Sequence, residues 1–550
     1  MNVLGISCYY HDSSACLVKD GEVVAAVSEE RFSREKHDRS FPQNAVDYCL
    51  RSQEVEASDV DKVVFYEKPV RKLSRVLETS SEVFPRGFKS FRKAMVSWTK
   101  TKLRIKSKIR SNFPDADIEF VPHHRSHAAS AFHPSPFDEA AVLTADSTGE
   151  YVTNQMFEAE ADSIEPIKSI TFPDSLGLLY STITSFLGFR VNNGESKVMG
   201  LAAYGNPNYL GEMNELIEVE EDGFYSLNMD YFGFRVSETM WSDKLKSLLG
   251  EPRSERQSIE SRHRDIAASL QRKIEEVLLK QAEHLHDITG KSNLCMAGGI
   301  ALNCRANQRI AEETSFENVW VQPAAGDAGG AMGAALERTR TDYSMESVYL
   351  GPKYSSEEVE NVLNSIGAEY RKVEKKKLVE EVSERISDGE IVGIFRGRAE
   401  WGPRALGNRS IIADPRKIES RERINRKIKY RENFRPFAPT VISEKASEYF
   451  TEHGNTGYML FTQDASQPDK VPAVVHENDT SRIQVLRKKV NPFFYQVIKS
   501  FEVHTGVPMV LNTSFNKRGE PIVNTPSEAY RCFKSSGLDF FVTEKFIIEG

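Results

Sequence analysis

Short apolar runs and amphipathic segments alternate along the chain, and this pattern predicts an α/β protein. The run "NVLGIS" (2–7) predicts a buried strand, and "SACLVKDGEVVAAVSEERF" (14–32) predicts two strands joined by a hairpin at Asp20-Gly21. In contrast, "SRHRDIAASLQRKIEEVLLKQAEHLHDIT" (261–289) repeats its apolar residues with a helical period, which predicts a long amphipathic helix. Strands and helices therefore follow one another in the order typical of α/β folds.

This pattern of elements restarts once, near residue 346. Before that point, "EAAVLTADSTGEYVT" and "NLCMAGGIALNCRANQRI" each predict a strand followed by a glycine turn. After it, a second α/β unit begins with "DYSMESVYLGPKYSSEEVE". Because 550 residues are too many for one ordinary core, we predict two domains, 1–345 and 346–550.

Composition narrows the class of protein. Apolar residues make up 39% of the chain and charged residues 28%, which suits a globular protein in water. The formal net charge of −8 argues against a general nucleic-acid binder. Six cysteines without a C-x-x-C pair indicate a reducing compartment. The start of the chain resembles no secretory signal, and no apolar run is long enough to span a membrane, so we expect a cytoplasmic protein.

One segment, residues 71–110, departs from the overall negative charge, with thirteen Lys or Arg against two acids. Aromatic and aliphatic residues such as Phe84, Phe88 and Trp98 are interleaved with these cations. One interpretation is a solvated helical insert whose apolar stripe packs on the body of the protein. The other is a platform for an anionic acceptor or a membrane surface, and the pattern leaves both open.

A histidine-rich stretch, "VPHHRSHAASAF", suggests a metal site. His123 and His127 are four residues apart, so on a helix they share one face and can reach one ion. The same spacing also occurs as a surface or capping feature, and His124 offers a competing pair with His127. Asp146 ends an apolar strand and Asp327 lies in the loop "AGDAGG", so both can add a carboxylate. Two imidazoles and two carboxylates suit iron, manganese or zinc better than calcium.

Three glycine-rich turns, "ADSTGE", "CMAGGIALN" and "AGDAGGAMG", point to a phosphate-bearing ligand. The latter two run into helix N-termini, where backbone N–H groups and the helix dipole favour phosphate. None is a P-loop or a dinucleotide-binding fingerprint. With the N-terminal strand–turn–strand they resemble the actin, sugar-kinase and heat-shock ATPase fold, although such turns also serve compact packing.

The C-terminal half has its own cationic segment. Residues 396–435 hold thirteen Lys or Arg, and rigid apolar residues such as Trp401 and Leu406 lie among them. Guanidinium groups held in a walled pocket recognise phosphate and carboxylate oxygens bidentately. The segment "LNTSFNKRGEPIV" adds Asn512 and Arg518, polar groups that can fix a small ligand. A solvated face with rim charges is the alternative.

Taken together, these stretches resemble a family, the ATP-dependent O-carbamoyltransferases of the nodulation-factor and tobramycin type. The resemblance covers nearly the whole chain. It rests on "HDSSACLV", "EERFSREKH", "HHRSHAASAF", "ESKVMGLAAYG", "AGGIALN", "GDAGGAMGAA", "EWGPRALGNRS", "RPFAP" and "LNTSFNKRGEPIV", in this order. It implies an actin-like N-terminal domain fused to a C-terminal α/β domain similar to threonylcarbamoyl-AMP synthase.

The resemblance also implies a reaction in two halves. In the C-terminal domain, carbamoyl phosphate loses its phosphate and leaves carbamate. The carbamate attacks the α-phosphorus of ATP, the co-substrate that is supplied with Mg, and carbamoyl adenylate and pyrophosphate form. In the N-terminal domain a hydroxyl of the acceptor then attacks the carbamoyl carbon and AMP leaves. An acyl adenylate replaces a poor leaving group by a good one and splits one hard step into two.

By motif match, the resemblance assigns roles to individual residues. His11 is expected to be the general base on the acceptor hydroxyl, and a histidine suits that role at neutral pH. The expected metal ligands, with iron as the family's metal, are His123, His127, Asp146 and Asp327. The expected nucleotide-binding residues are Lys36, Glu150, Lys197, Gly298, Gly299 and Asn303. The expected carbamoyl phosphate and adenylate pocket comprises Arg404, Lys429, Arg435, Arg482, Asn512 and Arg518.

The acceptor is the least constrained partner. The basic insert 71–110 has no equivalent in the aminoglycoside branch, so we carry over no aminoglycoside and expect a sugar or glycan hydroxyl, on an anionic or lipid-linked molecule. A tRNA threonylcarbamoyl-type enzyme is an alternative, against which the net charge and the fused architecture speak. A non-catalytic actin-like ATP-binding scaffold is another, but it needs neither the metal ligands nor the arginine pocket. A homodimer is plausible for a chain of this length.

Overall fold

The computed structural model describes residues 1–549 except 162, 340, 342, 433 and 434, and describes the backbone but not the side chains of residues 89, 90, 93, 94, 97 and 100. The chain forms two compact units. The first comprises residues 1–24 and 39–344, and the second comprises 25–38 and 345–550. The division at 344/345 lies one residue from the predicted 345/346, and the segment 25–38 groups with the second unit although the predicted boundary placed it in the first.

The described strands and helices follow the alternation that the apolar pattern predicts. The strands are β1 (Asn2–Ser7), β2 (Ser14–Lys19), β3 (Glu22–Ser28), β4 (Lys62–Phe65), β5 (Asp117–Phe120), β6 (Glu139–Ala145), β7 (Val152–Glu160), β8 (Ser163–Thr171), β9 (Ile217–Val219), β10 (Tyr225–Leu227), β11 (Asn293–Ala297), β12 (Asn318–Val321), β13 (Tyr370–Lys372), β14 (Val392–Phe395), β15 (Arg409–Ala413), β16 (Ala438–Ile442), β17 (Gln463–Asp464), β18 (Thr480–Ser481), β19 (Gln484–Leu486), β20 (Met509–Ser514), β21 (Phe540–Val542) and β22 (Phe546–Glu549). The helices are α1 (Glu30–Ser33), α2 (Gln43–Arg51), α3 (Pro69–Glu82), α4 (Phe88–Lys100), α5 (Ile105–Asn112), α6 (His123–Phe132), α7 (Leu176–Phe186), α8 (Glu195–Ala202), α9 (Leu210–Leu216), α10 (Asp243–Leu249), α11 (Ser261–Thr289), α12 (Cys304–Glu313), α13 (Asp327–Leu336), α14 (Ser356–Ser365), α15 (Lys375–Ser387), α16 (Ile418–Arg423), α17 (Pro492–Thr505) and α18 (Pro526–Lys534).

The first unit contains two five-stranded sheets with the same topology. One has the strand order β3-β2-β1-β4-β5, and the other has the equivalent order β8-β7-β6-β11-β12. In each sheet, three antiparallel strands are followed by two parallel ones. These two run in the same direction as β1 in one sheet and as β6 in the other. This duplicated arrangement is the one expected of an actin-like domain, and it carries no repeat that is visible in the sequence. The predicted α/β class is confirmed.

The predicted hairpin is also confirmed. Asp20 and Gly21 connect β2 to β3 with φ angles of +52° and +92°. Two consecutive positive φ angles suit a two-residue turn whose twist matches that of the strands, and glycine adopts the second at no steric cost.

The helix α13 packs so closely that its small residues are required by geometry. A side chain at Gly5 of β1 would place Cβ 1.9 Å from the carbonyl oxygen of Ala331, and one at Gly333 would place Cβ 1.8 Å from the carbonyl oxygen of Ser126 in α6. The sequence "GDAGGAMGAA" therefore serves to bring the backbones of α13, β1 and α6 together. This close packing fixes the N-terminal ends of α6 and α13 relative to one another.

The second unit is built on an eight-stranded mixed sheet with the order β13-β22-β21-β14-β15-β20-β16-β19. Its core is formed by aliphatic and aromatic side chains of these strands and of α15 and α17, among them Ile394, Leu511 and Phe541. Among the described residues, no helix combines the length and the apolar character that crossing a bilayer requires.

The basic insert is helical, comprising α3, α4, a short 3₁₀ turn and α5. Some of its side chains fit the interpretation as a packed helical insert, and others fit the interpretation as an exposed platform. Trp98, Ile105 and Ile109 are buried, as a packed stripe predicts. Phe84 and Phe88, in contrast, are 71% and 56% exposed. The insert therefore packs on the body and also presents apolar side chains to solvent.

Candidate functional site

The candidate metal ligands come from three element ends in the first unit. His123 is the first residue of α6, and His127 lies one turn later on the same face. Asp146 directly follows β6, and Asp327 is the first residue of α13. Because α6 and α13 are held together by their small residues, residues more than 200 positions apart in the chain meet at one point.

The four side chains converge on one point. The Nε2 atoms of His123 and His127 are 3.1 Å apart, and each is 3.1 Å from Oδ2 of Asp146. Oδ1 of Asp327 is 3.6 Å from Nε2 of His123 and 3.7 Å from that of His127. All four residues are buried, and one ligand atom from each lies within 4.8 Å of the others. We call these four residues the His/Asp quartet.

The electrostatics of the quartet reflect this crowding. Burial alone would lower the pKa of His127, but the hydrogen bond to Asp146 and the negative charge of Asp327 outweigh burial and raise it to about 9. Burial would likewise raise the pKa of Asp146, yet the two histidines hold it well below its usual range. The pKa of each group is therefore governed by its partners in the quartet.

The donor set fits a divalent metal ion. Both carboxylate oxygens of Asp327 are buried and have no hydrogen-bond partner among the described residues. Buried carboxylates without a partner are costly, and a bound cation removes that cost. Two imidazole nitrogens and two carboxylates are a usual set for iron, manganese or zinc. His124 lies outside the set, because its Nδ1 is 2.8 Å from Oγ1 of Thr144 and its burial beside two histidines lowers its pKa.

His11, the candidate base, lies next to the quartet. Its Nε2 is 3.7 Å from Oδ2 of Asp327, and its Nδ1 is 2.8 Å from Oδ2 of Asp12. Burial alone would lower the pKa of His11, but the two carboxylates outweigh it and raise the pKa well above its usual range. Asp12 orients the imidazole, a role that the sequence reasoning did not assign although Asp12 is the next residue in the chain.

The glycines expected to cradle nucleotide also lie at the quartet. Gly298 has a φ of +96°, and a Cβ there would lie 2.2 Å from the carbonyl oxygen of Ala145. A Cβ at Gly299 would lie 3.0 Å from Oδ1 of Asp146. Only glycine permits this turn to pass so close to β6 and to the aspartate that follows it.

The other predicted nucleotide-binding residues have structural partners of their own. Glu150 accepts backbone hydrogen bonds from His123 and from Lys68, at 3.2 and 2.6 Å. Asn303 caps α12 and exchanges two 3.0 Å hydrogen bonds with Gln271. The ammonium of Lys197 lies 5.5 Å from the ring centre of Phe189. None of these contacts excludes a nucleotide, but Glu150 and Asn303 organise the site in addition to any role with a ligand.

In the second unit, four of the predicted carbamoyl phosphate residues and one further arginine, Arg431, form a group of cations, which we call the cation pocket: Lys429, Arg431, Arg435, Arg482 and Arg518. Burial lowers the pKa of Lys429 and of Arg435, and neighbouring positive charges lower both further, although the carboxylate of Glu432 offsets part of the shift at Arg435. Lys429 follows a π-helical turn at 424–428, a local irregularity often found at functional sites. Like charges gathered in a partly buried space favour the binding of an anion.

Individual contacts fix the geometry of this pocket. The ammonium of Lys429 donates to the carbonyl oxygens of Ser514 and Asn516, at 2.5 and 3.0 Å. The side-chain amide of Asn512 donates to Oγ1 of Thr440 at 3.0 Å, while its buried Oδ1 has no hydrogen-bond partner among the described residues. Arg518 donates to the carbonyl oxygen of Tyr430 at 3.0 Å.

Four more cationic residues bear on the predicted sites. Arg431 belongs to the pocket although sequence reasoning did not single it out; its signal was its place in the cation-rich run 396–435. Arg404 and Arg482 each have a buried Nε that makes no hydrogen bond to the described residues. Lys36, expected to bind nucleotide with the first domain, belongs to the second unit, where its positive charge lowers the pKa of Lys429.

Comparison with protein families gives a match over most of the chain. Residues 2–336 match the model described as carbamoyltransferase N-terminus, and residues 383–550 match the model described as carbamoyltransferase C-terminus. The first range ends at the last residue of α13, and the second begins within α15.

Individual relatives match at full or nearly full length. The chain is 44% identical to an uncharacterised protein of Synechocystis sp., over 100% of this chain and 96% of that one. It is 35% identical to nodulation protein NolNO of Sinorhizobium fredii, over 98% of this chain and 79% of that protein. Among solved structures, component A of (R)-2-hydroxyglutaryl-CoA dehydratase from Acidaminococcus fermentans aligns with a TM-score of 0.34 at 14% identity, over 61% of this chain and 96% of that chain.

Proposed function

Because this chain belongs to the carbamoyltransferase family, we propose that it is an ATP-dependent O-carbamoyltransferase that transfers the carbamoyl group of carbamoyl phosphate to a hydroxyl of a sugar or glycan by way of carbamoyl adenylate. The observation that carries this proposal is the presence of two distinct charged sites in one chain. The His/Asp quartet in the first unit suits a metal ion, and the cation pocket in the second suits anions.

The first half-reaction is assigned to the cation pocket. Water releases inorganic phosphate from carbamoyl phosphate and leaves carbamate, which attacks the α-phosphorus of ATP so that carbamoyl adenylate forms and pyrophosphate leaves. Arg435 and Lys429 neutralise the phosphate oxygens in this step, since both lie in a partly desolvated group of cations. The unpartnered amide oxygen of Asn512 accepts a hydrogen bond from the carbamoyl NH₂ group.

The second half-reaction is assigned to the quartet and His11. The acceptor oxygen attacks the carbamoyl carbon, AMP leaves, and the hydroxyl proton passes to Nε2 of His11. The ring can take this proton when a divalent ion held by Asp327 offsets the carboxylate charge that raises the pKa of His11. Asp12 holds Nδ1 of the same ring, and it stabilises the imidazolium that forms. The turn at Gly298 and Gly299 offers backbone N–H groups to the AMP phosphate.

A divalent ion held by the His/Asp quartet, with iron the family expectation, would supply a positive charge that binds and orients phosphate oxygens of the nucleotide. Glu150 supports this geometry, because its carboxylate accepts from the backbone N–H of His123 and so fixes the start of α6.

The insert supports an acceptor larger than a free monosaccharide. Half of the exposed large apolar side chains of the described chain lie in and beside it: Val70, Leu77, Phe84, Phe88, Val96 and Leu103. Exposed apolar side chains among cations suit a molecule that is both apolar and anionic, such as a lipid-linked glycan. Deletion of residues 84–100 should weaken the affinity for such an acceptor and its salt dependence; if neither changes, this part of the proposal is wrong.

The first test is pyrophosphate release from ATP, with and without carbamoyl phosphate, in the absence of any acceptor. Release that depends on carbamoyl phosphate is the expected result. Release that requires bicarbonate and threonine instead would favour a tRNA threonylcarbamoyl-type enzyme. Absence of release under both conditions, with ATP still bound, would favour a non-catalytic scaffold and contradict the proposal.

A further inference from the structure

The insert brings two cationic side chains to one aromatic ring beside the candidate base. Tyr10 precedes His11, and the two rings have their centres 4.7 Å apart. The hydroxyl of Tyr10 is 3.3 Å from Oγ of Ser147, which follows the quartet residue Asp146. Lys72 and Lys102, both from the insert, hold their ammonium groups 4.7 and 5.9 Å from the centre of the Tyr10 ring.

The position of these side chains is fixed by the candidate site itself. The backbone N–H of Lys68, the N-cap of α3, donates to Glu150, the same carboxylate that accepts from His123. Arg75, one turn after Lys72, donates to Oγ1 of Thr148 in the turn after β6. The insert is therefore anchored at the quartet.

Of the two lysines at the Tyr10 ring, Lys102 is the one that forms no ion pair among the described residues. Lys72 forms an ion pair with the buried carboxylate of Glu67, and Arg75 makes its bond to Thr148. The ammonium of Lys102 lies 4.9 Å from the centre of the Trp98 ring and contacts aromatic faces, but it makes no direct ion pair or hydrogen bond within the described part of the chain. Contact with aromatic faces offsets only part of the cost of desolvating this charge.

The titration of Lys102 agrees with this geometry. Burial, together with the positive charges of Lys72 and Arg75, lowers the pKa of Lys102 to about 8, and the carboxylate of Glu67 offsets only part of that shift. A bound anion would restore the missing countercharge. Exposed lysines of the same insert, such as Lys106, need no such anion because water solvates their charge.

We propose that Lys102, Trp98 and Tyr10 form a recess that binds an anionic substituent of the acceptor, a carboxylate or a phosphate ester, and so hold a neighbouring hydroxyl at His11. This inference rests on the proposed transfer to a hydroxyl and names the class of acceptor that the site selects. Lys102 is then a specificity residue: it contacts the acceptor at a distance from the reacting oxygen, and it contributes by the charge-assisted contact alone.

The test uses the full chain with carbamoyl phosphate and ATP, and sugars paired by charge: glucose with glucose 6-phosphate, and galactose with galacturonate. The anionic member of a pair should be carbamoylated with a kcat/KM at least about tenfold higher, the value of one hydrogen bond to a charged group. Lys102→Met should remove this preference, chiefly by raising KM for the anionic sugar, and the exposed Lys106→Met should keep it. Equal use of both members by the wild-type protein, or a preference that survives in Lys102→Met, overturns the proposal.

A second measurement does not depend on turnover. A lysine with a lowered pKa is acetylated early by limiting acetic anhydride, and mass spectrometry reports the rate at Lys102. Glucose 6-phosphate or galacturonate should slow this reaction, and glucose should not. Protection by AMP or carbamoyl phosphate alone, or by none of the anionic sugars, contradicts the proposal. Acceptor-free pyrophosphate release reports separately on the proposed function, so the two failures are distinguishable.

Discussion

The His/Asp quartet and the cation pocket are both groups of buried ionisable side chains, but the free-energy cost of burying their charges is offset in different ways. The quartet mixes two imidazoles with two carboxylates, and its members raise or lower one another's pKa by direct hydrogen bonds. In the cation pocket the cations outnumber the neighbouring carboxylate, Glu432, and burial and the like charges lower the pKa of Arg431 and Arg435 although Glu432 opposes this shift. The first arrangement is completed by a cation and the second by an anion. The sign of the missing partner can thus be read from the composition of each cluster.

The strongest test of this comparison removes a charge from the cation pocket. Arg435→Ala should lower carbamoyl-phosphate-dependent pyrophosphate release by about 1000-fold or more, the usual effect of losing an arginine that clamps transferring phosphate. The metal content of the quartet should not change. Arg426→Ala, which removes an exposed arginine of the preceding π-helical turn, is the matched control. Normal release from Arg435→Ala would show that the pocket serves another purpose.

The next test separates the two half-reactions. His11→Ala should lower transfer to the acceptor by about 100-fold to 10,000-fold, the range for loss of a general base. Pyrophosphate release without acceptor should continue at the wild-type rate, because that step is assigned to the second unit. The exposed His504→Ala serves as the control. If His11→Ala transfers as fast as wild type, the base is another group.

A third test concerns the His/Asp quartet. Asp327→Asn keeps the shape of the side chain but removes a carboxylate whose two oxygens have no partner among the described residues. Metal affinity, measured by competition with a chelator, should fall by at least about 100-fold, because loss of an outer-shell partner alone costs about 10- to 100-fold. The exposed Asp115→Asn should retain the metal. Unchanged affinity in Asp327→Asn would remove this residue from the ligand set.

The smallest expected effect comes from the packing that assembles the quartet. Gly333→Ala places a Cβ against the carbonyl oxygen of Ser126, which lies between His123 and His127 in α6. The free energy of unfolding should fall by about 1–3 kcal/mol, as for other overpacked sites, and metal retention should fall with it. Gly211→Ala in α9, where a Cβ meets nothing within 4 Å, should be neutral or stabilising by thermal denaturation. A fully stable Gly333→Ala would show that α6 and α13 can separate without loss.

Much of the local structure could be predicted from the sequence. The hairpin at Asp20-Gly21 and the long helix α11 follow from turn chemistry and apolar period, which depend on neighbouring residues. The chemistry-bearing residues could also be named as candidates, since histidines four apart share one helix face and clustered arginines suit anions. Two other features were not predictable by the same reasoning. The duplicated sheet topology leaves no repeat in the sequence, and the segment 25–38 groups with the second unit despite its early position.

The sequence by itself determined the inventory of this protein: which side chains can ligate a metal, which can bind phosphate, and where the backbone must be glycine. Only the tertiary structure decided which of them meet. Asp327 reaches His123 because glycines let α13 and α6 approach, and Lys102 lacks a countercharge because folding places it on two aromatic rings. The physical reason is that the pKa of a side chain and its need for a partner depend on burial and on neighbours distant in the chain, and these exist only once the chain has folded.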